Sequence, residues 1–300
     1  MNDVSAPRRC IVCDIAPQSS IILPKGVRLL RCPRCELAWW DWPPFEPAAF
    51  YDRDYFQSDR EPRGYNDYES LEIGLRRTAR ARLRRIERVM VQSGGARLGE
   101  RRLLDVGCGT GVFLDEARHA GWDVRGIEIS RYAVDEARRR GLSITHAIGD
   151  DLRLEPATYE CITFWDVIEH VRDPRGLLAN AGRALVPGGV LALSTGDVTS
   201  LCARLCGARW HLFNLPEHLF FFSPRSLRKL FRRVGCGGVC VSREINWVPL
   251  SYLLERVAKS IGWGTRRRGG GRWVLPATLG DVLGAYAVRT ANVPGCPARE

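Results

Sequence analysis

Lysine is almost missing from these 300 residues. It stands only at positions 25, 229 and 259, so the formal charge of +11 is an arginine charge, spread from Arg8 to Arg299. A charge so dispersed argues against a nucleic-acid footprint, which would gather on one face. No apolar run approaches the roughly 18 residues of a membrane span. The opening stretch, MNDVSAPRRC, lacks the basic-then-apolar pattern of a secretory leader, so the expected compartment is the reducing cytoplasm. In that setting eleven cysteines point to metal ligation rather than to a disulfide framework. No internal repeat is visible. With 45% hydrophobic and 26% charged residues, the chain is neither disordered nor collagenous nor a coiled coil.

The densest basic run, Arg76 to Arg88, alternates with Leu71, Leu75, Ala79, Leu83, Ile86 and Met90. Apolar residues every three or four positions predict an amphipathic helix with an arginine-rich solvent face. Arg266-Arg267-Arg268, leading into three glycines, reads as a solvated loop. Three segments differ in grammar. Residues 1–45 carry cysteine pairs and tryptophans, 46–100 form an aromatic then helical linker and lid, and 101–300 form the main domain, with an insertion at about 247–275. In the last segment short apolar runs alternate with helical patterns, the mark of parallel strands joined by crossover helices. Strands are expected at 103–106, 123–129, 142–147, 160–165, 190–194, 239–245 and 281–289, and helices at 112–120, 130–141, 173–185 and 223–234. The fold class is α/β, a doubly wound sheet.

The strongest motif is Leu103-Leu104-Asp105-Val106-Gly107-Cys108-Gly109-Thr110-Gly111. Three glycines at the carboxyl end of the first strand let the backbone come close to a ligand. Val112 occupies the place of the final glycine in a dinucleotide fingerprint, and the phosphate-loop ending is missing too. The loop therefore faces something nucleoside-like without a pyrophosphate signature. Glu128 closes the second strand, where a carboxylate can accept hydrogen bonds from ribose hydroxyls. Asp150 and Asp151 follow the third strand, placed to accept the exocyclic amine of adenine.

These residues resemble the class I S-adenosylmethionine-dependent methyltransferases. The likeness rests on the glycine loop, the acid ending strand two, Asp150, the run Trp165-Asp166-Val167-Ile168-Glu169-His170 after strand four, and Leu185-Val186-Pro187-Gly188-Gly189 before strand five. It implies a seven-stranded Rossmann-like sheet with strand seven antiparallel between strands five and six. It also implies that Gly107, Gly109 and Gly111 pass the methionine moiety, that Glu128 followed by Ile129 holds the ribose, that Asp150 or Asp151 reads the adenine, and that Asp105 and Trp165 belong to the cofactor site. Cys108 is a usual occupant of such a loop and reads as a small packed residue.

The sulfonium of S-adenosylmethionine makes its methyl electrophilic already, so catalysis reduces to positioning and, for a hydroxyl or carbon acid, to proton removal by a base. His119 and His146, on a helix and a strand, read as structural. His218, in the segment Trp210 to Leu219 where the acceptor should enter, and His170, after strand four, are the base candidates. Asp166, Glu169 and His170 have i, i+3, i+4 spacing, which on a helical turn would face one way and ligate a divalent metal. That run is similar to the E-x-x-E-H segment of quinone-biosynthesis O-methyltransferases, with Asp in place of the first Glu; the metal-free reading is preferred. The N-P-P-Tyr/Phe run associated with methylating base amines is absent.

Cys10-x-x-Cys13 and Cys32-x-x-Cys35, 18 residues apart, have the spacing of a structural zinc site with a closed four-thiolate shell. About 45 residues bury too little core to stand alone, so a metal staple is physically sensible. Cys202/Cys206 and Cys236/Cys240 read as buried small residues. The knuckles, the aromatic run Phe50 to Phe56 and the segment Pro216 to Pro224 resemble bacterial methyltransferases of polysaccharide and secondary-metabolite gene clusters. The resemblance implies a small-molecule or glycan acceptor, with O- or C-methylation favoured. A zinc-ribbon RNA methyltransferase and a non-catalytic scaffold are the alternatives; nucleic acid is disfavoured by the second C-x-x-C, and the scaffold by the intact cofactor residues. Trp247 to Trp263 is amphipathic, which suits a lid or dimer helix better than contact with a membrane surface.

Overall fold

In the computed structural model the centre of the sheet forms where the apolar runs leave no polar face, and its outer strands β5, β6 and β10 keep exposed residues. The structure describes residues 6–23, 26–42, 68–94, 101–147, 152–250, 274–278 and 280–290. At the N-terminus three short strands, β1 (Ser19–Ile22), β2 (Arg28–Arg31) and β3 (Ala38–Trp40), form an antiparallel meander. Helix α1 spans Tyr68–Gln92. Then β4 (Arg102–Val106), α2 (Val112–His119), β5 (Asp123–Glu128), α3 (Arg131–Arg139), β6 (Ser143–His146), β7 (Tyr159–Trp165), α4 (Pro174–Ala184) and β8 (Leu185–Gly196) alternate as the pattern predicts. A short helix α5 (Leu201–Cys206), strand β9 (Phe220–Phe221), helix α6 (Pro224–Arg233) and strands β10 (Cys236–Arg243), β11 (Asn246–Pro249), β12 (Val274–Ala277) and β13 (Val282–Arg289) complete the described chain.

The central sheet has the order β10-β13-β8-β7-β4-β5-β6. The strands from β8 to β6 pair in parallel, and β13 runs antiparallel between β8 and β10. This is the seven-stranded class I methyltransferase sheet. All seven residues of β7 are buried, as befits a central strand covered on both faces. Fully burying one such aliphatic side chain contributes about 1.5–3 kcal/mol. The strand order reverses between β4 and β7, and that switch point opens a crevice at their carboxyl ends. Local chemistry sets the helix starts. The Ser130 side chain accepts from the Ala133 amide, the Asp173 side chain from Gly176, and Ser223 forms a capping box with Ser226.

Two expectations are adjusted here. The arginine face of α1 is only partly solvated: Arg77, Arg80, Arg84 and Arg88 are exposed, whereas Arg76, Arg82 and Arg85 are half-buried. Arg76 bridges Glu72, Asp115 and Glu116 at 2.7–2.9 Å, and Arg80 joins Glu116. Arg82 and Arg85 lie over the rings of Trp165 and Tyr286, and Arg77 over Trp247. A guanidinium is planar and long enough to reach across a helix–sheet contact, which the apolar period alone does not reveal. Trp247 begins no helix, because residues 246–249 are extended and pair with β12; Leu250 is helical, and residues 251–263 of that predicted amphipathic segment lie outside the described residues. The Pro187-Gly188-Gly189 turn falls inside β8 as a bulge, where the pairing with β7 jumps from Tyr159↔Leu185 to Cys161↔Val190 and Gly188 takes φ 81°.

The cysteine segment is joined to the main domain by hydrogen bonds. Strand β3 pairs with β9, so one four-stranded sheet contains residues from both parts. Trp40 Nε1 donates to the His218 carbonyl at 2.9 Å, Ser223 Oγ to the Cys35 carbonyl at 2.8 Å, and Lys229 Nζ to the Arg34 carbonyl at 3.2 Å. The Trp42 and Phe220 rings meet edge to face at 5.2 Å.

Candidate active site

The turn after β4 is shaped by its backbone. Gly107, Gly109 and Gly111 all have positive φ, at 73°, 54° and 81°. A Cβ on Gly107 would stand 2.5 Å from Val167, and one on Gly111 2.4 Å from Leu142. The outer glycines are thus required by packing within the protein as well as by any ligand. The amides of Gly107 and Cys108 both donate to the Ile127 carbonyl at the end of β5, at 2.8 and 3.1 Å. Burial raises the Cys108 thiol far above its ordinary value, which makes it a neutral packed residue.

Glu128 is 6% exposed. It accepts the Gly109 amide on Oε2 and the Ser130 amide on Oε1, each at 2.8 Å. Burial raises its carboxyl, and these backbone donors oppose the rise. Each oxygen retains a further lone pair. Asp105, at the end of β4, is 2% exposed and accepts Thr163 Oγ1 at 2.6 Å; burial pushes it up to about 7. The side chain after Glu128, Ile129, is partly exposed, and its carbonyl meets His146 Nε2 at 2.8 Å. Trp165 packs edge to face on Phe113 at 5.2 Å beneath the Arg82 guanidinium, and its buried Nε1 has no hydrogen-bond partner. Asp150 and Asp151 lie outside the described residues.

Opposite the turn, the chain leaving β7 makes a sharp bend instead of a helix. Asp166 takes a left-handed φ of 56°. Its carboxylate accepts Ser194 Oγ at 2.9 Å and lies 3.8 Å from Arg82. The expectation that Asp166, Glu169 and His170 share one helical face is therefore corrected. His218 takes the third place, and the ligating atoms of Glu169, His170 and His218 lie within 4.8 Å of one another. The two imidazoles meet edge to face at 4.6 Å. His170 Nδ1 contacts the Glu217 carbonyl at 3.0 Å and His218 Nδ1 the Leu212 carbonyl at 2.9 Å. A carbonyl only accepts, so both protons sit on Nδ1 and both lone pairs on Nε2. The Glu169 carbonyl receives the amides of Leu219 and Phe220, at 2.7 and 3.3 Å, which fixes the histidine loop against the β7 bend. Burial pushes His170 down to about 4 and Glu169 up to about 8. Near neutral pH both groups are uncharged.

Cys10, Cys13, Cys32 and Cys35 are all buried, with sulfurs within 4.8 Å of one another. The two knuckles repeat one hydrogen-bond pattern. Cys10 N donates to the Ile15 carbonyl and Asp14 N to the Cys10 carbonyl; Cys32 N donates to Leu37 and Glu36 N to Cys32. Asp14 and Glu36 each take positive φ, at 54° and 65°. Such a tetrad fits a closed tetrahedral zinc shell.

Sequence reasoning missed three residues at the crevice. The Arg82 side chain is 10% exposed and donates to Ser194 Oγ at 3.1 Å. Thr110 Oγ1 is buried beside the glycines without a hydrogen-bond partner. Ser194, at the carboxyl half of β8, links Arg82 to Asp166. Arg82 was concealed among like residues, while Thr110 stood inside the motif itself.

A glycine turn at the switch point, a buried acid ending the next strand, and β13 inserted antiparallel define a class I S-adenosylmethionine-dependent methyltransferase fold. The chain belongs to the methyltransferase-domain family, whose model matches residues 75–241. It is similar to the ubiquinone biosynthesis O-methyltransferase of Thiobacillus denitrificans, at 29% identity over 47% of this chain and 66% of that one. The enzyme of the same name from Cereibacter sphaeroides is 30% identical, over 49% and 66%. The chain thus spans just under two thirds of the length of these relatives. Among solved structures it shares its fold with a SAM-dependent methyltransferase from Archaeoglobus fulgidus (TM-score 0.50, 17% identity, 74% of this chain and 97% of that one). Phosphoethanolamine N-methyltransferase 2 of Haemonchus contortus also shares it (TM-score 0.51, 14% identity, 84% and 63%). Among the described residues no helix is long and apolar enough to cross a membrane.

Proposed function

We propose that this chain methylates a hydroxyl oxygen of a small-molecule acceptor, with His218 as general base. The observation that carries the reading is the His170–His218 pair, both protonated on Nδ1 and fixed beside the bend after β7, whose Val167 packs on Gly107 of the glycine turn. The buried, partnerless Thr110 hydroxyl and the remaining lone pairs of Glu128 are consistent with a polar nucleoside ligand there. S-adenosylmethionine, when bound, supplies an electrophilic methyl group. Glu128 would hold the ribose, the Gly107–Gly111 turn and Asp105 the methionine portion, and Asp150 or Asp151 the adenine.

His218 Nε2 then accepts the proton of the acceptor hydroxyl as the oxygen becomes nucleophilic. His170 stays neutral because burial holds it at about 4, so it adds no positive charge beside the imidazolium formed on His218. Glu169, protonated near neutrality, acts through its backbone carbonyl and keeps the histidine loop in place. The four-cysteine cluster holds a structural zinc in this reading.

Tritiated-methyl transfer to panels of hydroxylated metabolites and glycans tests the acceptor class, and label confined to glycans overturns the small-molecule reading. His218→Ala should lower turnover by roughly 10²–10⁴-fold with calorimetric affinity for S-adenosylmethionine unchanged. Full turnover in that variant removes the base assignment. The clustering of Glu169, His170 and His218 supports a second reading, in which the trio holds a divalent cation. Stimulation by added Mg²⁺ or Mn²⁺ would favour it.

A further inference from the structure

We propose that Cys202, Cys206, His211 and Asp281 form a second metal site, separate from the four-cysteine cluster and selective for a zinc-class ion. The four residues come from three parts of the chain. Two cysteines lie on α5, His211 opens the loop that carries His218, and Asp281 immediately precedes β13. The donor atoms of Cys202, His211 and Asp281 lie within 4.8 Å of one another. His211 Nε2 is 3.5 Å from Asp281 Oδ2, and the Cys202 and Cys206 sulfurs are 4.0 Å apart.

Cys202, His211 and Asp281 suit three corners of a tetrahedron; the Cys206 sulfur lies outside that 4.8 Å group and would supply the fourth corner by a side-chain rotation towards Cys202. Bonds of about 2.0–2.3 Å to one central ion put neighbouring ligand atoms roughly 3.3–3.8 Å apart. The His–Asp pair is already in that range and the sulfur pair is a few tenths of an ångström outside it. Asp281, 2% exposed, is oriented by Trp210 Nε1, which donates to Oδ2 at 3.0 Å, the type of outer contact that fixes a ligating carboxylate. Two thiols, an imidazole and one carboxylate favour zinc over the oxygen-seeking magnesium or calcium. Helix α5 is also turned the wrong way for an apolar contact. Leu201 and Leu205 are 64% and 78% exposed, whereas the cysteine side is partly buried. Hydrophobic burial alone would favour the opposite rotation, and ligation by the cysteines accounts for the one observed.

The position gives the ion a task. Leu212, next to His211, supplies the carbonyl that holds His218 Nδ1, and the Asp281 carbonyl receives the Asp197 amide at the end of β8. A metal here would tie the start of the histidine loop to the central sheet.

The test is zinc content of the full chain, reconstituted with excess Zn²⁺ under reducing conditions, desalted and measured by mass spectrometry. Cys202→Ser/Cys206→Ser should bind one ion fewer per chain than the unaltered protein, while Cys10→Ser retains this second ion. His211→Gln, with both thiols intact, should also lose one ion and serves if the double variant fails to fold by circular dichroism. In the Co²⁺-substituted protein, thiolate charge-transfer absorption should fall by about a third in the double variant, as two of six metal–sulfur bonds disappear. Equal zinc content and an unchanged cobalt spectrum in folded variants would overturn the site.

Discussion

The two walls of the crevice are built in different ways. The wall proposed to bind the methyl donor is made from the ends of consecutive elements. Asp105 closes β4, the glycine turn follows directly, and Glu128 closes β5, with backbone amides fastening its carboxylate. The wall proposed to face the acceptor is gathered from afar. The bend after β7, the loop from Trp210 to Leu219 and the cysteine segment meet at His170 and His218, joined by β3–β9 pairing and the Trp40 bond to the His218 carbonyl. The first wall is thus inherent in the sheet, and the second depends on a small module for which a zinc staple is proposed.

Removing that staple should separate the walls most sharply. Cys32→Ser, or zinc extraction by a chelator, is expected to lower methyl transfer on the order of 10³-fold, because the histidine loop loses its support. Calorimetric affinity for S-adenosylmethionine should change less than threefold. A parallel loss of donor affinity would show that the walls are not separable. The converse variant is Glu128→Gln. It retains shape but cannot accept at both oxygens, and should weaken donor binding by about 2 kcal/mol while the thermal stability of the cysteine module is retained.

The smallest effect concerns His170 and pH. Its folded-state value of about 4 lies below the ordinary 6.5, so between those values the unfolded chain binds the extra proton. Stability from this residue is present above about 6.5 and is lost as pH falls towards 4. Between pH 7 and pH 5 that amounts to about 2 kcal/mol. Urea unfolding of His170→Gln should show a pH dependence flatter by this amount, and identical slopes would refute the burial argument.

What could be read along the chain was whatever repeats locally. The alternation of strand and helix, the glycine turn, Glu128, and the caps at Ser130 and Ser223 each have a short-range signature. The pairing of β3 with β9 has none, because two adjacent phenylalanines carry no period that names their partner. The same holds for Arg82, one arginine among many until its reach over Trp165 is visible. Asp166 misled because i, i+3, i+4 spacing brings side chains together only on a helix, and its left-handed φ ends that geometry at once. The meeting of His170 with His218 is a tertiary fact, set by amide bonds to the Glu169 carbonyl.

The pairing across the sheet also imposes an order on biosynthesis. Trp40 and its partner at His218 are 178 residues apart, and ribosomes add roughly 5–20 residues per second. For on the order of ten seconds the β3 edge of each nascent chain waits with unpaired amides and carbonyls, the kind of edge that recruits foreign strands. A metal bound early on the knuckles, as proposed for the four-cysteine cluster, would hold the segment carrying that edge in place until Phe220 and Phe221 emerge to cover it.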